Sequence, residues 1–205
     1  ITTETALVSI MHVNNELGTI NPISEIGEIC RQNKILFHSD AAQSFKKVDI
    51  DVDDLNIDVM SISAHKIAGP KGIGAIYIRD LRNKQLMPVI HGAGQEDGVR
   101  GGTVAAPLIV GFGSAIEYFS KHYNKFKQIK AKEILLSELR KHSIEYQVNG
   151  GEDALPSCLS LTLPLTNIAL LIRDNESYFC LAQGSACSSK EIAASHVLTA
   201  IGLTR

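Results

Sequence analysis

Three short apolar runs that each end in polar side chains limit what this chain can fold into. "ALVSIMHV" (6–13) leads into Asn14 and Asn15, "KILFHSD" (34–40) ends on Asp40 with Gln43 just beyond, and "DVMSISAHK" (58–66) ends on Ser63, His65 and Lys66. Near-continuous apolar runs mark strands buried on both faces, as in parallel sheets. Between the first two lies "NPISEIGEICRQN", where Ile23, Ile26, Ile29 and Cys30 share one helical face, Asn21 can cap and Pro22 suits the first turn. "GIGAIYI" (72–78) reads as another strand, entered through glycines. Strand–helix–strand order predicts an α/β fold, a mainly parallel sheet covered by helices.

The pattern changes after Val104. Ile109, Phe112, Ile116, Phe119, Tyr123 and Phe126 recur at three- and four-residue steps, which predicts a long amphipathic helix. Beyond it come "YQVNGG", "CLSLTLP", a helical stretch near 166–173, "YFCLAQ" and a last helix near 190–201. This mixture predicts a smaller α+β lobe, with the large domain over 1–122 and the small one over 123–205. The 205 residues, 44% of them hydrophobic, suffice for such a core.

Charge narrows the function classes. Lys and Arg number 20 against 22 Asp and Glu, a net charge of −2. No basic run suggests direct nucleic-acid binding, and no apolar stretch nears the roughly 20 residues of a membrane helix. Cys30, Cys158, Cys180 and Cys187 form no C-x-x-C pair and no zinc pattern with histidine, so no metal site is expected. Cys30 and Cys180 lie on apolar patterns and are expected in the core, and Cys158 in a strand. A reduced, cytoplasmic setting is the simplest reading. An organellar one stays open, because the chain starts at Ile1 rather than Met, and both ends read as cut.

In open α/β sheets, ligands sit beyond the carboxyl ends of the strands, and the polar residues fall there. An amine in a partly dry pocket can attack an aldehyde, which suits Lys66. Asp40 can pair with a protonated ring nitrogen, Gln43 and Asn15 can hydrogen-bond a ring oxygen, and Ser63 and His65 can bind a phosphate. The set matches pyridoxal 5'-phosphate, with its lysine linkage and acidic ring-nitrogen partner. Singly, each has a bland reading: Asp40 as a turn residue, His65–Lys66 as a solvated surface pair.

The sequence resembles the cysteine desulfurases, pyridoxal-phosphate enzymes of the class V aminotransferase group. "HVNNELGTINPI" (12–23), "HSDAAQS" (38–44), "SISAHKIAGPKGIGAIYI" (61–78), "HGAGQEDGVRGGT" (91–103) and "GSACSS" (184–189) carry the resemblance across essentially the whole chain. It implies the fold of the aspartate-aminotransferase-like enzymes. Lys66 matches the lysine that joins the cofactor's aldehyde, and Asp40 the partner of the pyridine nitrogen. Gln43 and Asn15 match residues near the phenolic oxygen and the substrate, and Ser63 and His65 match phosphate ligands. Thr103 matches a threonine that reaches the phosphate of a neighbouring subunit, which implies a homodimer. Cys187 matches the catalytic cysteine, and the form of its motif resembles the group that hands sulfur to scaffold and acceptor proteins.

The resemblance also implies that family segments supplying a phosphate cup, a ring-stacking histidine and a carboxylate-binding arginine lie outside these 205 residues. Ala93, Asp97 and Gly101 stand where the family more often has Gly, Arg and Ser. The expected activity is conversion of L-cysteine to L-alanine, with sulfur passed as a persulfide to acceptors for iron–sulfur assembly or nucleic-acid thiolation. Alternatives are a selenocysteine lyase or related β-lyase, and a truncated non-catalytic scaffold subunit.

Overall fold

Four strands form one sheet in the order β1-β2-β3-β4: β1 (Leu7–Met11), β2 (Leu36–Asp40), β3 (Val59–Ser63) and β4 (Gly74–Ile78). The first three run parallel and β4 closes the edge antiparallel to β3. A computed structural model describes residues 1–81, 87–127, 130–182 and 195–203. Its contacts divide the chain into two units, Ile1–Val13 with Asn21–Phe126 and Asn14–Ile20 with Lys127–Arg205.

In the first unit, helix α1 (Ile23–Gln32) packs against β2. Ile23 and Cys30 meet Phe37, Ala41, Ile57 and Met60 in a buried core, and Val8, Ile10 and Ile62 lie against it. Strand parity follows: alternate side chains face α1, and the intervening ones, His38, Asp40, Ser61 and Ser63 among them, face the other way. The close approach of α1 depends on Gly27, because a Cβ there would sit 2.1 Å from the carbonyl oxygen of Leu55. Asn21 does not cap α1. Pro22 holds the N-cap position, and the Asn21 amide instead donates to the Met11 carbonyl at 2.7 Å, closing the end of β1.

The long helix expected after Val104 is α2 (Ala106–Lys127). Its Phe112 and Ala115 bury against Ala64 and Ile67, and Phe119 stacks on Tyr123 with ring centroids 4.8 Å apart.

The second unit holds α3 (Ala131–Lys141), the antiparallel pair β5 (Gln147–Val148) and β6 (Leu161–Thr162), α4 (Ile168–Asp174) and α5 (His196–Ala200). The stretch 14–20 joins it through an antiparallel bridge between Thr19 and Ala154. Two cysteine expectations fail here. Cys180 is exposed, because "YFC" follows α4 outside any regular element, with Tyr178 84% exposed beside it. Cys158 lies before β6 rather than in it, half-buried, its thiol donating to the Glu16 carbonyl. Cys30 is in the core as expected.

Candidate active site at the strand ends

The register of β2 and β3 carries Asp40 and Ser63 to the same end of the sheet. Asp40 pairs with Ser61 across the ladder, and the backbone N–H of Ala41 donates to the Ser61 carbonyl. Asp40 is the last residue of its strand and half-buried. Its Oδ1 accepts the Ala42 N–H at 2.8 Å, an Asx turn that fixes the carboxylate as the chain leaves the sheet. Among the described residues, no group takes the second oxygen, which leaves it for a cationic partner. Gln43 follows in the same turn, half-buried between fully buried Ser44 and Ala41.

Strand β3 ends at Ser63 and passes directly into a 3-10 turn, Ala64–Ile67. Ala64 and Ile67 are almost fully buried against α2. That anchorage leaves His65 exposed and Lys66 half-buried on the other side of the turn. The Ser63 hydroxyl and His65 Nδ1 are 2.8 Å apart. The turn closes with Ala68 in the left-handed region and the Gly69 N–H on the Ala64 carbonyl. A Cβ at Gly69 would stand 2.8 Å from that carbonyl oxygen, so glycine is required for the tight exit.

The donor set fits pyridoxal phosphate. A carboxylate suits a protonated pyridine nitrogen, a hydroxyl–imidazole pair suits phosphate oxygens, and a half-buried primary amine suits the aldehyde. These groups belong to the first unit. Asn15 is exposed in the 14–20 turn of the second unit, and Thr103 is exposed in the first unit, just ahead of α2. Cys187 lies outside the described residues.

Two histidines near these strand ends escaped the sequence reading. His38 shares the face of Asp40 and is held at both nitrogens, by the Ser9 hydroxyl at 2.8 Å and the Ser61 hydroxyl at 3.3 Å. Its signal was the period-two spacing to Asp40 within one strand. His12 is 5% exposed, and its Nδ1 has no partner among the described residues. Burial holds its imidazole below the ordinary value, so the folded chain favours the neutral ring. Protonation then favours unfolding. Stability is full above about pH 6.5, the unfolded value, and is lost as pH falls through the lowered folded one. A series of melting temperatures from pH 8 to 5 is expected to fall less steeply for His12→Asn than for the unaltered chain.

The family model described as Aminotransferase class-V matches residues 1–202. The chain belongs to this family. Among curated class-V relatives, the mitosomal cysteine desulfurase of Encephalitozoon cuniculi is 45% identical over 200 residues, covering 97% of this chain and 46% of that protein. The mitochondrial cysteine desulfurase of Saccharomyces cerevisiae is 45% identical over 204 residues, covering 97% and 40%. The chain thus spans less than half the length of these relatives. Among solved structures, SspA in complex with cysteine superposes with a TM-score of 0.83 at 46% identity, over all of this chain and 56% of SspA. DndA from Streptomyces lividans gives 0.77 at 34%, over all of this chain and 58% of that one. The expected α/β architecture of the family, with its mostly parallel sheet, is therefore present, and the family is pyridoxal-phosphate dependent.

Proposed function

We propose that this chain forms part of a cysteine desulfurase that takes sulfur from L-cysteine, releases L-alanine and passes the sulfur on. The observation that carries the reading is the placement of Asp40 at the end of β2 and of Lys66 on the turn that follows β3, in a chain whose relatives are cysteine desulfurases. The solved relative described with bound cysteine supports the substrate class.

Pyridoxal phosphate, when bound, supplies an electron sink for the substrate's α-carbon. The rest falls to this chain's residues. Asp40 holds the charge of the ring nitrogen, Ser63 and His65 the phosphate, and Gln43 and Asn15 the phenolic-oxygen side. Lys66 would hold the aldehyde through its amine, and its Nζ could carry protons to and from the substrate. The Cys187 thiolate attacks the substrate's sulfur. A sulfur–sulfur bond forms, the carbon–sulfur bond breaks with its electron pair left on carbon, and protonation there gives alanine. The product on the protein is a Cys187 persulfide, whose outer sulfur an acceptor protein's thiolate can remove. Thr103 suits a role toward the phosphate of a second subunit, which makes the working form a homodimer. The organellar names of the relatives support an organellar compartment alongside the cytoplasmic one that the cysteine usage suggests.

The test is alanine release from cysteine by the protein at its native length. Asp40→Ala is expected to weaken cofactor binding by about tenfold to a hundredfold, the loss of one charge-assisted hydrogen bond of roughly 1.5–3 kcal/mol. Titration of the visible absorption reads it. Unchanged binding in that variant would remove Asp40 from the site, and turnover of selenocysteine alone would favour a lyase.

A further inference from the structure

The residue after Asn15 has no assigned role, yet it joins its own turn to two distant parts of the second unit. Glu16 Oε2 accepts the Ser195 hydroxyl at 2.5 Å, across 179 positions of sequence. Its carbonyl accepts the Cys158 thiol at 3.6 Å, across 142. Its N–H, with that of Leu17, donates to Asn14 Oδ1 at 2.9 and 3.0 Å. The turn is fastened further by the Leu155 N–H on the Gly18 carbonyl and the Ile20 N–H on the Asp153 carbonyl.

Ser195 is the N-cap of α5. Its oxygen accepts from the N–H of Val197 at 3.1 Å and of Leu198 at 3.4 Å. A serine hydroxyl has one proton and two lone pairs. Here both lone pairs face the helix amides and the proton goes to Glu16, so the hydrogen-bonding capacity is fully used. The carboxylate fixes which way the hydroxyl turns. A hydroxyl donating to a carboxylate is the short, strong kind of bond, and polarising the O–H makes its oxygen a better acceptor for the two amides.

From this geometry we infer that Glu16 is a positioning residue. Through Ser195 it fixes α5 to the turn that presents Asn15, and Ser195 stands eight positions after Cys187 in the sequence. The link rests on the desulfurase reading for its catalytic consequence, while the latch itself does not. The latch needs an acceptor at this reach, which glutamate supplies and glutamine keeps.

The experiment compares Glu16→Ala, Glu16→Gln, Ser195→Ala and the double alanine variant at native length, with cofactor bound. Amide hydrogen exchange at Val197 and Leu198 is expected to quicken about tenfold in Glu16→Ala, and little elsewhere. The kcat for alanine release falls about tenfold, with KM for cysteine within about twofold. The melting temperature stays within a few degrees, Glu16→Gln recovers most of the loss, and the double variant is no worse than Ser195→Ala. Unchanged exchange at Val197 and Leu198 would overturn the latch, and additive effects in the double variant would do the same. Faster exchange or a lower melting temperature with kcat intact would overturn the positioning role. If the unaltered protein released no alanine, the desulfurase reading would fall, and the exchange measurement alone would then uphold or overturn the latch.

Discussion

Lys66→Ala is expected to lower alanine release from cysteine by at least about a thousandfold, the scale seen when a covalent participant is removed. The fold should survive. Lys66 is half-buried on a turn held by Ala64 and Ile67, whose side chains are buried in the core, and its own side chain is not part of that packing. Lys66→Arg should not rescue, because a guanidinium stays protonated and cannot offer a free amine to an aldehyde. Alanine release and the visible spectrum, followed on the same sample, check both points. A Lys66→Ala protein that turned over within tenfold of the original would exclude the amine from the chemistry.

Cys187→Ala is expected to abolish sulfur delivery to an acceptor thiol, again by at least about a thousandfold, while cofactor binding and the visible spectrum stay unchanged. The other cysteines make natural controls. Cys30 is buried in the core, where desolvation, with the nearby Asp58 charge, pushes its thiol upward and keeps it protonated. Cys158 sits half-buried on the Glu16 carbonyl. Cys180 is the exposed thiol among the described residues, so Cys180→Ala is the decisive comparison. It should leave transfer intact. Loss of transfer in Cys180→Ala with retention in Cys187→Ala would move the persulfide to the other position.

Much of the candidate site was readable because strand ends announce themselves. A chain that places Asp40 or Ser63 at the close of an apolar run needs a reason, and in a parallel sheet the carboxyl ends are where such residues can meet a ligand. The 3-10 turn was not readable in that way. "SAHKIA" continues the apolar run of β3, and what ends the strand at Ser63 is tertiary: Ala64 and Ile67 find their burial against α2 rather than within the sheet. Asn21 misled for a similar reason. Its side chain could cap α1, but its amide instead donates to the Met11 carbonyl at the end of β1. Cys180 misled because three hydrophobic letters in a row carry no information about the side they face once α4 has ended. Nor could local pattern reveal the partnership of Glu16 with Ser195, which spans most of the chain. The roles that came from resemblance, Thr103 and Cys187 among them, had no signature of their own beyond the motif.

The account turns on Lys66 holding the cofactor's aldehyde. Borohydride reduction of the cofactor-loaded protein at native length, followed by digestion and peptide mapping, tests it most directly. The account predicts one pyridoxyl adduct per chain, on Lys66 in the peptide containing "SAHK". An adduct on another lysine, or none in a protein that binds the cofactor, would contradict it.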